Sequence, residues 1–157
     1  MYLAKEAKIV LANVPVDINN LAVTGDYVSM KGYGHLTIVL QFGANGTGVA
    51  LTLKQSTDVT NSLSDEKALS FTKIYANVGL TTTDLTETAV TSDTVTLGND
   101  PNNLYVVEVE ARDLDVNNGF DCVRFNYASG AGTTILSVLY ILSEPRYDQN
   151  SVNAIVD

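Results

Sequence analysis

Hydrophobic and polar residues alternate along most of this chain with a period of two. In HLTIVLQFG, one face of an extended strand carries Leu36, Ile38, Leu40 and Phe42. The same pattern repeats in GVALTLKQ, LYVVEVEAR and CVRFNY. The residues predicted to point inward from these strands are Val49, Leu51, Leu53, Tyr105, Val107, Val109, Ala111, Val123, Phe125 and Tyr127. Arg124 and Asn126 fall on the opposite, outward face of their strand. The alternation predicts strands that bury one side against a core.

Shorter runs rich in threonine and β-branched residues predict further strands between frequent turn signals. These runs lie at 8–12, 15–18, 21–24, 27–30, 68–75, 84–90 and 93–97. The helix candidates are short, namely SLSDEKAL at 62–69 and LAKEAK near the start. We therefore predict an all-β protein, an antiparallel β-sandwich that is jelly-roll-like. One domain spans 1–157, with a β core at 8–143 between an N-terminal arm at 1–7 and a C-terminal arm at 144–157.

The run ILSVLYIL at 135–142 is apolar on both faces. Such a strand is either central in a sheet or covered by a neighbouring subunit. The second interpretation makes its side chains, together with the start of the C-terminal arm, candidates for a protein interface. The candidate interface residues are Leu136, Val138, Tyr140, Leu142, Arg146 and Tyr147.

Composition narrows the possible partners. The chain has 157 residues, with 18 acidic against 9 basic side chains and a formal charge of −9. This charge repels phosphate backbones and excludes nucleic acid as an expected partner. The most apolar run is far shorter than the roughly 20 residues of a membrane helix. We expect a soluble protein, made in the host cytoplasm, with no membrane partner and no secretory processing.

The segment RDLDVNNGFDCVRF raises the question of a metal site. Asp113, Asp115, Asn117 and Asp121 follow the spacing of the first, third, fifth and ninth positions of a calcium loop. The sixth position is Asn118 instead of glycine, and the twelfth is Arg124, a positive charge where the strongest ligand belongs. We interpret the segment as the turn of a hairpin between strands 104–111 and 120–127, and keep the four residues as weak metal candidates.

The same interpretation assigns Arg124 an ion pair with Glu108, Glu110 or an aspartate across that hairpin. Cys122, the sole cysteine, is expected to be a small buried residue, and His35, the sole histidine, a satisfied or exposed one. A zinc cluster cannot be built from one of each. The glycine-rich stretches at 32–34 and 43–48 lack the Lys-Ser/Thr and the helix of a phosphate loop. We expect no cofactor and no catalytic residues, and a protein that is not an enzyme.

Several stretches together carry a family resemblance: VTGDYVSMKGYGHLTIVLQFG, ALSFTKIYANVG, NNLYVVEVEARDLDVNNGFDCVRFNYASG and SVLYILSEPRY. They resemble small predicted virion proteins of tailed bacteriophages that are encoded among capsid genes. The resemblance runs from about Lys8 to Tyr147 and contains no catalytic signature. It implies a structural protein of the virion, most simply a decoration (cement) protein on the capsid surface.

As the resemblance implies, such a protein binds the major capsid protein, forms a homotrimer and stabilises the head by protein–protein contacts. The alternative is a receptor- or glycan-binding head domain of a tail fibre or spike, which is also β-rich and trimeric. A hydrolase acting on cell-wall sugars is the third and least favoured hypothesis. Its carboxylates would have to come from Glu108, Glu110 and Asp121.

Overall fold

Strands and turns form most of the structure, a computed structural model that describes residues 3–19, 21–60 and 65–146. The strands are β1 (Lys8–Asp17), β2 (Val23–Thr24), β3 (Val28–Ser29), β4 (Tyr33–Asn45), β5 (Ala50–Ser56), β6 (Lys67–Ala68), β7 (Lys73–Asn77), β8 (Thr86–Ala89), β9 (Thr94–Thr96), β10 (Leu104–Glu110), β11 (Cys122–Tyr127) and β12 (Thr134–Pro145). A short helix, α1 (Leu3–Glu6), precedes β1, and 3₁₀ turns at Ala111–Asp113 and Val116–Asn118 lie between β10 and β11.

The strands form two antiparallel sheets. Sheet A has the order β1-β12-β4-β10-β7-β8, and sheet B has the order β2-β11-β5-β6. In sheet B, β3 also pairs with β11 and β9 with β5. The predicted all-β antiparallel sandwich is confirmed.

The path of the chain alternates between the two sheets. After β1 in sheet A, β2 and β3 lie in sheet B, β4 in sheet A and β5 in sheet B, and the last three strands alternate in the same way. The first strand pairs with the last, since β1 lies against β12. This wrapped connectivity is that of a jelly roll. The β7–β8 hairpin is an addition that widens sheet A beyond β10.

The core lies between the sheets and is built from the alternating positions. Leu36, Ile38 and Leu40 are fully buried, as are Leu51 and Leu53 on the facing sheet. Their pattern of burial confirms the inward faces predicted for β4 and β5. The ring of Phe42 contacts those of Tyr105 and Tyr127, at centroid distances of 5.9 and 5.4 Å. The core therefore joins both sheets through aromatic contacts as well as aliphatic ones.

Tyr140 of β12 ties the two sheets together by hydrogen bonds. Its hydroxyl oxygen accepts a bond from the Phe125 N–H at 3.2 Å and donates one to the Asp26 carbonyl at 3.1 Å. The side chain is fully buried, and this burial raises the pKa of Tyr140. A buried polar group needs such partners, and both are supplied here by the backbone of sheet B and its edge.

Several predicted elements have different bounds in the structure. The stretch 68–75 is divided, because β6 lies in sheet B and β7 in sheet A. The helix predicted at 62–69 is wrong where the structure describes it, since Lys67–Ala68 is a strand, and 62–64 lie outside the described residues. The strands predicted at 8–12 and 15–18 are one strand, β1, with irregular register around Asn13. The N-terminal helix is confirmed as the shorter α1.

The hairpin predicted between 104–111 and 120–127 is wrong. β10 pairs with β4 and β7 in sheet A, whereas β11 pairs with β5 in sheet B. The connection crosses from one sheet to the other through the two 3₁₀ turns, and Leu114 anchors it in the core at 5% exposure. Gly119 has a φ of 83° and ends the second turn, so the Asn-Gly signal marks a helical cap and not a hairpin.

The predicted arms lie at the ends of this fold. α1 falls within the N-terminal arm, and β12 ends at Pro145, just inside the predicted C-terminal arm. Residues 147–157 lie outside the described residues, so the arm boundaries stay predictions. Within the described ranges, the structure contains no helix with the length and apolar character needed to cross a bilayer.

Candidate interaction surface

One row of side chains on the outer face of sheet A is apolar across five strands. The strand registers pair Leu11 of β1 with Leu139 of β12, and Leu139 with Val39 of β4. Val39 pairs in turn with Val106 of β10, which pairs with Tyr75 of β7. All five residues lie outside the core, and Leu11 is 48% exposed. We call this row of Leu11, Leu139, Val39, Val106 and Tyr75 the apolar stripe.

The stripe continues toward the β1 edge of the sheet. In the neighbouring row, Ile9 pairs with Ile141, and Ile9 is 47% exposed. Val14 and Val16 further along β1 are 57% and 42% exposed, and Ile135 at the start of β12 is 41% exposed. Scattered apolar side chains are ordinary on protein surfaces, whereas a contiguous apolar patch marks an interaction site. The registers place Ile9 and Ile141 in the row next to the stripe, whereas Val16 pairs with the core residue Leu136 and does not extend this outer face.

A groove of about 420 Å³ lies beside the stripe on the same face. Its floor includes Gln41 and Leu104, which pair across β4 and β10 in the row next to the stripe. Ser137 and Ile135 of β12 line one side, and Leu80 projects over it at 64% exposure. The groove and the stripe together form one continuous surface of mixed apolar and amide character.

Charged side chains beside the stripe are paired with one another. The His35 ring nitrogen Nε2 lies 2.6 Å from Glu108 Oε2, and the Thr37 hydroxyl donates to the same oxygen at 2.7 Å. Lys73 Nζ lies 2.9 Å from Glu87 Oε1. The hydrogen bond from Lys73 holds the pKa of Glu87 below its usual range. The two carboxylates, Glu108 and Glu87, are therefore held by neighbouring side chains of the same sheet.

The outer face of sheet B has the opposite character. One row across it is Thr24, Asn126, Thr52 and Thr94, and the hydroxyls of the last two lie 3.3 Å apart. Another row contains Arg124 beside Lys54, whose ammonium lies 3.7 Å from Asp93. Thr52, Thr94, Asp93 and Lys54 are joined to one another by these contacts, whereas the Asn126 amide oxygen has no hydrogen-bond partner within the described residues.

Arg124 lies on this polar outer face, as the alternation predicts, and yet it is only 3% exposed because other segments cover it. Its guanidinium forms an ion pair with Glu66 and lies 4.8 Å from the centre of the Tyr27 ring. The Tyr27 hydroxyl donates to the same Glu66 carboxylate at 2.8 Å, and burial raises the pKa of Tyr27. The predicted partners Glu108 and Glu110 lie on sheet A, because the hairpin that would have brought them near does not exist.

The four weak metal candidates serve the crossover between the sheets. The Asp113 carboxylate accepts the Glu110 N–H at 3.1 Å, as in a capping box. The Asp115 carboxylate pairs with Lys67 and accepts a bond from Asn118 Nδ2 at 2.8 Å. Lys67 therefore holds the pKa of Asp115 below its usual range.

The remaining two metal candidates are Asp121 and Asn117. The Asp121 carboxylate accepts a bond from the Cys122 thiol at 3.0 Å, and Asn117 is exposed in the second 3₁₀ turn. Within the described ranges, no three His, Cys, Asp or Glu side chains are grouped to hold a metal ion. Cys122 is buried, as predicted, and its burial raises the pKa of the thiol.

The predicted interface residues need correction. Leu136, Val138, Tyr140 and Leu142 are fully buried between the sheets, so these side chains are core and not interface. The outward residues of the same strand are the alternate ones, and sequence reasoning missed Leu139 and Ile141 among them. Because ILSVLYIL is apolar on both faces, alternation alone does not say which face is inward. Arg146 is exposed, and Tyr147 lies outside the described residues.

Comparison with known proteins adds a distant likeness. No protein-family model matches the chain, and no curated protein matches it significantly. Among solved structures, the chain is similar to the crystal structure of the SPBc2 prophage-derived protein YomS, with a TM-score of 0.46 and 12% identity. The match covers 87% of this chain and 93% of that one. A likeness at this level assigns neither a family nor a function.

Proposed function

We propose that this chain is a structural protein of a tailed-phage virion, a decoration (cement) protein that binds the major capsid protein on the head exterior. The sequence resemblance implies that the chain is a structural protein of the virion. The observation that carries the proposal is the apolar stripe, because a protein that acts by covering and bridging its neighbours needs a surface of this kind. The jelly roll supports this only by analogy, since one fold hosts many functions.

The mechanism is binding without turnover. Burial of the outer face of sheet A against neighbouring proteins supplies the contact area, at about 25 cal/mol for each Å² of apolar surface removed from water. α1, within the predicted N-terminal arm, contacts both β1 and β12, the two strands at one edge of sheet A. In this proposal the predicted arms reach over a neighbouring subunit. The homotrimer implied by the resemblance is part of this proposal.

The test uses purified heads of the phage whose genome carries this gene. The full chain is expected to bind the heads to saturation and to raise the temperature at which they melt, since a ligand bound only to the intact shell stabilises it. Removal of residues 1–7, or of 147–157, is expected to weaken this binding while the far-UV spectrum of the β core is unchanged. Absence of binding by the full chain would contradict the proposed function.

A second candidate function, a receptor- or glycan-binding head domain of a tail fibre or spike, is favoured by the groove beside the stripe. The side chains of Gln41, Asn102 and Ser137 line the groove and offer donors and acceptors that suit sugar hydroxyls. This candidate predicts binding of the chain to host cells and none to heads. Gln41→Ala would then lower cell binding. Under the decoration function, by contrast, added sugars should have no effect on head binding.

A further inference from the structure

We infer that the partner on the apolar stripe is a second copy of this chain, so that the outer face of sheet A is a self-association surface. The inference rests on the proposed function only in taking this face as a protein contact. It adds to the homotrimer of that proposal the surface through which copies meet, and this self-association takes place in solution without a capsid. Three features of the face point to a copy of the chain.

Charge is the first feature. The chain carries a formal charge of −9, so two copies repel each other over most of their surfaces. Beside the stripe, however, Glu87 pairs with the Lys73 ammonium, and the Glu108 carboxylate is held by the His35 ring and the Thr37 hydroxyl. A contact with a cationic partner would instead place unpaired carboxylates here, because complementary charge steers and orients association. An apolar face whose neighbouring carboxylates already have partners in the chain is suited to meeting the same face of another copy.

Edge exposure is the second feature. β1 is at the end of sheet A in the described part of the chain, and its neighbour on the other side is β12. An edge strand with exposed apolar side chains is a template for association unless it is covered. Natural edges are usually blunted by charges, yet Ile9 and Leu11 project from β1 at 47% and 48% exposure. The bulged half of β1 around Asn13 and Pro15 disfavours simple strand addition, which leaves the side-chain face as the contact.

Size is the third feature. With strands about 4.8 Å apart and a rise of about 3.3 Å per residue, five strands over seven residues give a flat area of roughly 550 Å². Side-chain relief and Ile135, 41% exposed at the start of β12, enlarge the accessible area. A standard interface takes about 800 Å² from each partner. The face therefore approaches the area that a standard interface takes from one partner.

The experiment measures mass against concentration for the full chain by sedimentation equilibrium, from micromolar to several hundred micromolar. The wild-type mass is expected to rise above the 16.8 kDa of one chain. Leu11→Asp is expected to weaken association at least about tenfold, because it puts a charge into the apolar contact. Leu11→Lys tests whether loss of apolar character matters apart from the sign of the charge. Thr96→Asp is the matched control, since Thr96 is exposed on the outer face of sheet B.

A second stripe variant serves as a control for the possibility that Leu11→Asp does not fold. The double variant Val39→Thr with Val106→Thr keeps the shape of two stripe residues and replaces a methyl by a hydroxyl, so it tests the stripe if Leu11→Asp does not fold. In the wild type, amide exchange in β12 is expected to slow as the concentration rises. A wild-type mass of one chain at every concentration would overturn the inference. Equal weakening by Thr96→Asp, or no weakening by any stripe variant, would overturn it as well.

The two proposals fail in different ways. Self-association that Leu11→Asp abolishes, together with no binding to heads, would support the inference and contradict the decoration function. Head binding by a wild-type chain that stays monomeric would contradict the inference and support binding to the capsid. The capsid would then be the partner on the stripe.

Discussion

The outer faces of the two sheets differ although both sheets are antiparallel and cover the same core. On sheet B several outward side chains bond to one another, as in the Thr52–Thr94 contact and the Arg124–Glu66 pair. On sheet A the outward row from Leu11 to Tyr75 is apolar, with Leu11 exposed and the other four residues half-buried. The polar face bonds largely within the chain, whereas the apolar row is the surface for which we propose a partner.

Because of this difference, a substitution is expected to weaken either folding or association, depending on the face that carries it. A change on the outer face of sheet B, or in the core, is expected to appear in the free energy of unfolding of the single chain. A change on the stripe is expected to appear in association and to leave folding nearly intact. Paired substitutions, one residue of each kind, therefore measure the difference directly.

The largest effect is expected from adjacent residues of β12 that point in opposite directions. Leu136 is fully buried, so Leu136→Ala should lower the free energy of unfolding by about 3 kcal/mol through lost burial and a cavity. Ile135 is 41% exposed on the outer face, and Ile135→Ala should cost less than about 1 kcal/mol. Urea unfolding of both variants at one low concentration checks this. Equal costs would show that β12 has no distinct inward face.

The next effect concerns the buried ion pair of sheet B. Glu66→Gln removes the charge that balances Arg124, which is 3% exposed, and should lower the free energy of unfolding by about 2 kcal/mol. Combining it with Arg124→Met should recover part of this loss, because the buried charge is then gone as well. Glu87→Gln, which breaks the exposed pair with Lys73 on sheet A, is the control and should have no measurable effect. If Glu87→Gln lowered the free energy of unfolding as much as Glu66→Gln does, the distinction between the buried and the exposed ion pair would be wrong.

Acid should weaken the sheet B side before it affects the core. The hydroxyl and N–H of Thr57 hold the pKa of Asp65 below its usual range, and Lys67 does the same for Asp115. A carboxylate with a depressed folded-state pKa stabilises the fold above its unfolded-state pKa, and this contribution is lost as pH falls. The melting temperature should therefore drop as pH decreases below about 4, the ordinary range of aspartate.

The matched variant for this pH effect is Asp65→Asn. It should melt lower than the wild type at neutral pH and lose less on acidification, because one of the titrating carboxylates is gone. Parallel acid melting curves for the wild type and the variant would show that Asp65 has no part in the pH dependence.

Sequence alternation predicted the fold well where one face of a strand is polar. In β4 and β10 the inward residues follow from the sequence pattern alone, because Thr37 and Glu108 mark the outward face. Alternation failed in β12, where both faces are apolar and only pairing with β4 decides the direction of Leu136. It placed Arg124 on the outward face but did not predict its burial, since the cover by Glu66 and Tyr27 comes from distant segments. Contacts between remote parts of the chain are what a local pattern does not contain.

The candidate surface was less predictable than the core for the same reason. The stripe is assembled from one residue of each of five strands, and no two of these residues are close in sequence. The two-faced character of 135–142 predicted a strand that is either central or covered by a neighbouring subunit, but only the registers show that Leu139 continues into Val39 and Val106. The hairpin prediction failed because Asn118-Gly119 is equally suited to ending a 3₁₀ turn.

The smallest expected effect is that of chelation on the crossover that joins the two faces. Excess EDTA should leave the melting temperature unchanged, because the Asp115 carboxylate is already bound by Lys67 and Asn118, and Asp113 by the Glu110 N–H. A bound cation would have to displace the Lys67 ammonium, which carries a charge of the same sign. Asp115→Asn is the control, and should lower the melting temperature equally with and without EDTA. A fall in the wild-type melting temperature that added calcium restores would show that these carboxylates hold a cation, since a ligand bound only to the folded chain stabilises it.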